Sequence, residues 1–483
     1  MKRMTQRILC LLLSVLFVLP LFACGSGENE TPTDTTPGAE ESGTEGPAVS
    51  RKDYNEDFNA IYCGDTFPKG FFFILDEERE PGSDMDAAVY ERMERIKDYL
   101  GVTINPVSGG NFLEYGAPIK RTVQAGDDEY QMIMTHTYYD VTNFIVSNYL
   151  CDFKEFENLQ LDADYWDNQM MEEDSLDGHY FLGYNDFCLA SVYVLAFNKD
   201  LADRYTSSDM HIYDDVRNKK WTLDRLIEMS QLVAVDNGDG RWTPDDTYGF
   251  AGLCWVPMVS FTLSSDIRVI DKNEDDELYL SPVVDNSDRM IALTTKLFDF
   301  AKMDCTYLWP LNSADQVHLT GGNVMFEMVN NYSLIEYKGE AIRFGVLPYP
   351  LYDEQQEDYR IMNWNGMLGI PSSIKNADMV TDTIEMLAYF SDPVKTAFFE
   401  RLLGAKVAEA PDDAEMLDLI WSHQCNDVGM IFSNSSLGLE ELFYVVPRLI
   451  QAGNDGYMAF YKGREKSING GINKIYKKIR ANE

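Results

Sequence analysis

The sequence predicts an α/β protein with mainly parallel sheets, divided into two or three lobes. Short apolar runs alternate with amphipathic helical patterns, and this alternation is typical of parallel sheets flanked by helices. The length of 483 residues is enough for two or three domains at roughly 100–200 residues each. Apolar residues make up 45% of the chain, which is enough to build a core and excludes wholesale disorder.

The first predicted elements alternate between strand and helix. An apolar run over 71–75 predicts a buried strand. Apolar residues then recur at helical spacing and predict a helix that starts at Ser83 or Asp84 and stops at Gly101. The pattern next predicts a strand over 102–107, a helix over 112–125, a strand over 130–134 and a helix over 141–149.

The rest of the chain continues the alternation. Strands are predicted over 191–197, 324–326 and 367–370, and helices from 221, over 381–399, over 414–421 and at the C-terminal end. Ligands of parallel α/β sheets bind outside the carboxyl ends of the strands. The first three predicted strands end at 76–78, 108–110 and 135–138, so we expect the binding site near these residues.

The N-terminal segment is predicted to be a secretory signal and not part of the fold. Lys2, Arg3 and Arg7 precede an uncharged apolar run over 8–23, which is too short for a membrane span of about 20 residues. The end of this run resembles the lipobox of bacterial lipoproteins, which implies cleavage before Cys24 and lipidation of its sulfur. An ordinary signal peptide and an uncleaved anchor are the alternatives.

Residues 24–52 are small, polar and acidic, and this composition predicts a flexible tether. Six further cysteines follow the signal and Cys24, without the spacing of a zinc site: Cys63, Cys151, Cys188, Cys254, Cys305 and Cys425. They are predicted mostly as small buried apolar residues, with one or two disulfides as the alternative.

The chain is strongly acidic, with 40 Lys and Arg against 80 Asp and Glu and a net charge of −40. This balance argues against a nucleic-acid partner, because phosphate contacts need Lys and Arg. It also argues against docking on anionic lipid through a basic face, so the membrane contact is expected through the lipid anchor only. A body of this charge should repel phosphates, sulfates and uronates, which favours a neutral ligand.

Six sequence blocks occur in the order known from one protein family. They are 165–166 with 177–180, 183–186, 195–199, 220–223, 344–350 and 369–371. Over about 71–479 the chain resembles the extracellular solute-binding proteins of carbohydrate ABC transporters, the family 1 type of bacterial lipoprotein that is similar to maltose-binding protein.

This resemblance implies a two-lobed, periplasmic-binding-protein-like fold. Each lobe is expected to hold a mixed, mainly parallel sheet flanked by helices, and crossing hinge strands are expected to join the lobes. The crossings are expected near 191–196, 322–327 and 366–371. Lobe 1 is expected to comprise 53–190 and 325–366, and lobe 2 is expected to comprise 191–324 and 367–483.

The resemblance also implies a function in transport and no enzymatic activity. It implies a monomer held by its lipid on the outer face of the bacterial cell membrane, which captures a neutral carbohydrate and passes it to the permease of an ABC importer. Closure of the hinge on the ligand supplies the signal that the permease detects. A surface-anchored glycoside hydrolase and a solute sensor without a permease are the alternatives. No HExxH, GxSxG, GxGxxG or Walker motif occurs, but 80 acids guarantee some close carboxylate pairs.

Sugar sites combine flat aromatic rings with Asp and Asn side chains, because sugars offer apolar ring faces and hydroxyl groups. Most of the candidates lie at a strand end or before a crossing strand, and Trp255 is chosen for its ring alone. The candidates are Trp364, Trp255, Tyr138, Asn185, Asp186 and Asn365. Packing in a half-buried position is the alternative for each Trp.

Residues 235–246 resemble an EF-hand-like calcium loop. Asn237, Asp239 and Asp246 occupy its third, fifth and twelfth positions, but Val235 occupies the first position, where a carboxylate is needed. The loss of that carboxylate predicts weak Ca²⁺ binding at most, and a solvated acidic turn is the alternative. No other cofactor is expected.

Overall fold

A computed structural model describes most of the chain from residue 47 onward. The described residues are 47–63, 84–111, 113–136, 140–186, 192–205, 211–284, 288–337, 340–364, 366–403, 411–432 and 440–481. The predicted signal, Cys24, the strand over 71–75, Tyr138 and Asn365 lie outside them. Among the helices of the described residues, none has the length and apolar character needed to span a bilayer.

The strands, in chain order, are β1 (Glu56–Tyr62), β2 (Val102–Ser108), β3 (Met132–His136), β4 (Tyr193–Asn198), β5 (Tyr248–Leu253), β6 (Ile270–Lys272), β7 (Leu278–Leu280), β8 (Thr306–Trp309), β9 (Val324–Asn330), β10 (Phe344–Leu347), β11 (Ile361–Met362), β12 (Gly366–Gly369) and β13 (Gln424–Cys425).

The helices, in chain order, are α1 (Asp84–Leu100), α2 (Gly116–Ala125), α3 (Val141–Val146), α4 (Asn168–Glu173), α5 (Lys199–Tyr205), α6 (Ile212–Arg217), α7 (Leu223–Val233), α8 (Val256–Ser264), α9 (Asp288–Ala301), α10 (Asn331–Tyr337), α11 (Ala377–Tyr389), α12 (Asp392–Leu403), α13 (Pro411–Ser422), α14 (Glu440–Phe443), α15 (Val445–Ala452), α16 (Tyr457–Lys462) and α17 (Glu465–Ile479).

The strands form two mixed sheets, each covered by helices. The first sheet has the order β12, β3, β1, β2, in which β1 is parallel to both neighbours and β12 is antiparallel to β3. Helices α1, α11 and α12 pack together beside it, and we call this unit lobe 1. The second sheet has the order β10, β4, β9, β5, β8 and is flanked by α7, α9 and α13. We call it lobe 2, and the two lobes confirm the predicted fold class.

The lobes are joined where three segments lie side by side. Val192, directly before β4, pairs antiparallel with Asn363, and β11 pairs in parallel with β13. We call these residues the hinge. Val192 falls within the first predicted crossing, 191–196, whereas from Tyr193 onward that range is β4, inside the second sheet.

Two parts of the predicted division are wrong. Residues 322–327 do not cross between the lobes, because β9 lies inside the second sheet between β4 and β5. The segment 325–347 belongs to lobe 2, since β10 also pairs with β4, whereas β12 belongs to lobe 1 through its pairing with β3. Sheet membership of such strands depends on pairing across the fold, which their local apolar pattern does not encode.

The local patterns place most elements correctly. Helix α1 ends where predicted, at Gly101, whose φ of +65° is the left-handed conformation that favours glycine. Helix α7 begins after Thr222, whose hydroxyl accepts a hydrogen bond from the Arg225 amide. The predicted helix over 381–399 is two helices, α11 and α12, and strand β1 was not predicted at all.

The described cysteines are Cys63, Cys151, Cys254, Cys305 and Cys425, and their burial agrees with the main prediction. All are buried except the half-buried Cys151. Cys188 lies outside the described residues.

The end of the predicted tether is part of the folded body. Val49 is only 4% exposed, and its carbonyl accepts a hydrogen bond from the Tyr99 hydroxyl at 2.9 Å. The Lys52 ammonium and the Tyr54 hydroxyl both lie 2.6 Å from the buried carboxylate of Asp382 on α11. The predicted tether therefore ends before residue 49 and not at residue 52.

Lys52→Met should lower the free energy of unfolding by about 1–3 kcal/mol, because Asp382 stays buried and loses its cation. The Lys52 side chain is 39% exposed, so water partly replaces the ammonium and the loss is smaller than for a fully buried pair. Denaturant unfolding measures the change.

Arg51→Met is the matched control, since the pair of Arg51 with Asp98 is well exposed and should contribute less than about 0.5 kcal/mol. Adding Asp382→Asn to Lys52→Met should recover most of the loss. An equal loss in the single and double variants would contradict the role of this ion pair.

Candidate functional site

The carboxyl ends of the parallel strands of both sheets face the hinge. In lobe 1, Gly366 at the start of β12 lies opposite His136 at the end of β3. In lobe 2, Tyr193 at the start of β4 lies opposite Asn330 at the end of β9. Because β4 starts directly after Val192 and β12 starts three residues after Asn363, the two sheet edges meet at the hinge. The space between these edges is the candidate site, at the position that α/β sheets use for ligands.

Trp255 lies on the lobe 2 edge, directly after β5 and at the N-terminus of α8. Its half-buried ring stacks on the Tyr444 ring, with centroids 4.6 Å apart and planes 11° from parallel. The Arg448 guanidinium lies 5.7 Å from the centroid of the Trp255 ring. Together these side chains form an aromatic platform beside a cation, which suits the ring face and hydroxyl groups of a sugar.

Charge at this platform is balanced by a shared carboxylate. Glu441 binds Arg448 at 3.1 Å and Arg464 at 2.6 Å. The sequence alone gives no signal for Tyr444, Arg448 or Glu441, because they reach Trp255 from a segment almost two hundred residues further along the chain. The packing of α15 against α8 brings this segment to Trp255.

Trp364 lies on the lobe 1 edge but is only 8% exposed. Its ring packs against the His136 imidazole, with centroids 5.0 Å apart. Burial lowers the pKa of His136 to about 3, so this imidazole is neutral at physiological pH. Most of the Trp364 surface is therefore used for packing, which is the alternative that the sequence left open.

Asn185 and Asp186 also lie in lobe 1. Gly183 pairs with Leu368 of β12, so the chain that follows runs beside the start of that strand and near Trp364. Asn185 is 5% exposed, and Asp186 binds the Lys395 ammonium at 2.8 Å. Burial raises the pKa of Asp186, and the Lys395 charge opposes that rise. Asp186 is therefore engaged in an ion pair within its own lobe.

A second set of contacts joins the lobes beside the hinge. The turn over 172–178 in lobe 1 meets the β6–β7 hairpin, which is inserted between α8 and α9 of lobe 2. The Lys272 ammonium donates to the Ser175 hydroxyl at 2.7 Å, and Arg268 binds Glu173 at 3.0 Å. Near the C-terminus, Arg480 binds Asp177 through two hydrogen bonds of 2.7 Å. We call this set of contacts the interlobe brace.

The buried carboxyl of Asp174 lies at the centre of the brace. One of its oxygens accepts hydrogen bonds from the Tyr184 hydroxyl and from the Asn426 amide, the latter at 2.8 Å. Burial raises the pKa of Asp174 to about 7. Asp427, the next residue after Asn426, is also buried with its pKa raised to about 7. Asp174, which links Tyr184 of lobe 1 to Asn426 directly after β13, is therefore a carboxyl group whose pKa lies near neutrality.

The loop over 235–246 is held by hydrogen bonds to its own backbone. The buried Asp246 carboxylate accepts from the amides of Asn237 and Thr243, at 2.8 and 2.5 Å. The Asp239 carboxylate accepts from the Arg241 amide at 2.8 Å. Within the described ranges, no group of three or more His, Cys, Asp or Glu side chains is placed to hold a metal ion. The loop residues predicted as calcium ligands thus serve the turn itself in this structure.

No protein-family model matches the chain, and no curated protein matches it. Solved structures do match. A substrate-binding protein of an ABC transporter from Listeria monocytogenes in complex with cycloalternan is 13% identical, with a TM-score of 0.54 over 87% of this chain and 98% of that one. UgpB from Mycobacterium tuberculosis in complex with glycerophosphocholine is 13% identical, with a TM-score of 0.58 over 86% and 98%.

A third match is maltose-bound MalE3 from T. maritima, 12% identical, with a TM-score of 0.52 over 87% of this chain and 99% of that one. At these identities the likeness concerns the fold. The chain therefore has the two-lobed fold of the substrate-binding proteins of ABC transporters.

Asp174→Asn should change how stability depends on pH. The folded-state pKa of about 7 exceeds the ordinary value of about 3.9, so the native state binds an extra proton between these values. The contribution of Asp174 is therefore full at low pH and is lost as the pH rises through 7. Relative to the unmodified protein, the variant should gain about 1–3 kcal/mol in unfolding free energy between pH 5 and pH 8.

Denaturant unfolding at pH 5, 6.5 and 8 measures this difference, and Asp275→Asn at the exposed β6–β7 turn is the control. A difference between Asp174→Asn and the unmodified protein that is the same at every pH would show that Asp174 does not titrate in this window.

Proposed function

We propose that this chain is the substrate-binding lipoprotein of an ABC importer. It captures a neutral sugar or oligosaccharide between its lobes and delivers it to a membrane permease. The observation that carries the proposal is the meeting of two sheet edges at one hinge, since a ligand there contacts both lobes at once. The cycloalternan and maltose complexes among the similar structures support the choice of carbohydrate.

Ligand binding acts through the hinge. The Trp255 platform contributes from lobe 2, and the edge with Trp364 and Asn185 contributes from lobe 1. Trp255 contributes the larger contact surface for the ligand because its ring is only half-buried, whereas Trp364 and Asn185 are almost fully buried. A ligand that touches both edges favours the closed form, and only this difference in affinity drives closure.

The balance of charge around the platform supports a neutral ligand. Arg448 and Arg464 share the carboxylate of Glu441, so the described part of the platform offers these two cations to an anionic sugar only in paired form. The acidic body repels anions at longer range. A uronate or a phosphorylated sugar therefore binds less well than its neutral counterpart.

The protein acts as a monomer outside the cytoplasm, held on the outer face of the bacterial cell membrane by a lipid on Cys24. A tether that ends before residue 49 links this lipid to lobe 1. The permease subunits are its membrane partners, and no nucleic acid is bound. Its role is binding and release, and the captured sugar is not cleaved.

A neutral oligosaccharide from the right class should raise the melting temperature of residues 47–483. A ligand at 100 times its Kd adds about 2.7 kcal/mol to the free energy of unfolding. A panel of neutral mono- and oligosaccharides, with chromatography of the sugar afterwards, makes the measurement. Recovery of a shortened sugar would instead support a glycoside hydrolase, and no shift with any sugar would contradict the carbohydrate assignment.

Trp255→Ala should weaken binding of that sugar by about 10- to 100-fold, because the stacking surface is lost. Isothermal calorimetry measures the affinity. Trp242→Ala is the matched control, since Trp242 is half-buried against Tyr248 in the loop before β5 and far from its carboxyl end. Equal affinity in Trp255→Ala and Trp242→Ala would remove Trp255 from the site.

A further inference from the structure

The C-terminal helix carries the opposite charge to the rest of the protein. Between Lys462 and Ala481 the sequence has seven Lys and Arg against one Glu, in a chain with a net charge of −40. Overall composition therefore hides a local basic segment. All of these residues lie in the part of the chain that the structure describes.

Helix α17 separates apolar and basic residues onto two faces. The buried face packs into the protein and consists of Ile468, Gly471, Ile472, Ile475, Tyr476 and Ile479. The opposite face is exposed and carries Lys466, Lys474, Lys477 and Lys478, which we call the basic face. The other exposed residues of this face are Ser467, Asn469 and Asn473, so it contains no acidic side chain. The 15-residue helix is roughly 22 Å long, and the lysines occupy both of its ends.

The cations at the two ends of the helix differ from the lysines of the basic face. Arg464 binds Glu441. Arg480 binds Asp177 in the turn over 172–178 and Glu277 at the end of the acidic β6–β7 turn. The charges of both arginines are therefore engaged in ion pairs within the protein. None of the four lysines forms an ion pair with any residue that the structure describes. Their charge is therefore available to a partner.

We propose that the basic face binds the anionic lipid headgroups of the membrane that carries the protein. This inference rests on the proposed lipid anchor, which keeps the body close to that surface. Lysines are compact charges on flexible stems and do not require the geometry of a bidentate partner, so they suit a layer of mobile phosphates. Protein interfaces, by contrast, are depleted in Lys and enriched in aromatic residues, which the basic face lacks.

The net negative charge of the body does not prevent this contact. Charges further away than the Debye length of about 8 Å at physiological salt are largely screened, so the sign of the contacting face decides. Each lysine near an anionic surface contributes a small attraction, and the anchor removes most of the cost of bringing the body to the membrane. The contact fixes which side of the two-lobed body faces the bilayer.

Amine footprinting of the full chain on vesicles tests the proposal. Vesicles of pure phosphatidylcholine are compared with vesicles that contain phosphatidylglycerol, and acetylation of each lysine is followed by mass spectrometry. The lysines of the basic face should react roughly fivefold or more slowly on the anionic vesicles only, and 0.5 M NaCl should restore their rate. Exposed lysines elsewhere, such as Lys97, Lys120 and Lys220, should react equally on both.

A variant with all four lysines of the basic face changed to Gln provides the second measurement. Its preference for anionic over neutral vesicles in flotation should fall by about 10- to 100-fold. The matched control changes four other exposed lysines to Gln: Lys97, Lys120, Lys220 and Lys302. Circular dichroism shows whether both variants are folded.

The outcomes separate the proposal from its premise. Failure of the full chain to float with neutral vesicles would contradict the anchor, while charge-dependent protection on anionic vesicles would still support the basic face. Absence of protection on anionic vesicles, or equal protection on both kinds, would overturn the proposal. Protection that requires membrane proteins in the vesicles would assign the face to a protein partner and would overturn it as well.

Discussion

The pairing of Val192 with Asn363 at the hinge is the constraint on which the rest of the structure depends. The strands that leave this pair, β4 and β12, each run antiparallel to a neighbour, and each starts beside that neighbour's carboxyl end. If β4 or β12 instead ran parallel to that neighbour, the amino ends of the parallel strands in its sheet would lie at the hinge. The antiparallel arrangement in both sheets is therefore what creates one site from two lobes.

Buried carboxylates connect segments that are far apart in the sequence. Glu385 on α11 accepts hydrogen bonds from the side chains of Tyr165 and Trp166, the latter at 3.0 Å. Glu327 on β9 accepts from the Leu319 amide at 2.7 Å. Each of these groups would be costly to bury without donors, so each fixes the position of the loop that supplies them. In this acidic protein, the few buried carboxylates thus help to specify the fold, whereas the many exposed acids contribute little to its stability.

Sequence patterns predicted what is local and missed what depends on pairing. Helix α1 and its end at Gly101 follow from apolar spacing and a glycine, and both are encoded within one segment. Strands β10 and β12 were assigned to the wrong lobes because their partners lie more than a hundred residues away. The site shows the same limit. Trp255 is a candidate from its residue type alone, because a tryptophan ring can stack on a sugar. Nothing near Tyr444 in the sequence indicates that it packs against the start of α8.

Net charge and local charge lead to different conclusions about partners. The total of −40 argues against docking on anionic lipid through a basic face, whereas the residues between 462 and 481 carry a local excess of Lys and Arg. The arginines of the candidate site and the lysines of the basic face differ in their pairing, and this difference indicates different partners. Arg448 and Arg464 at the site share Glu441, whereas the lysines of the basic face have no acidic partner in the described structure. Paired cations suit a neutral ligand that needs hydrogen bonds, and unpaired cations suit a charged surface. The proposed neutral ligand and the proposed lipid contact are therefore compatible in one acidic chain.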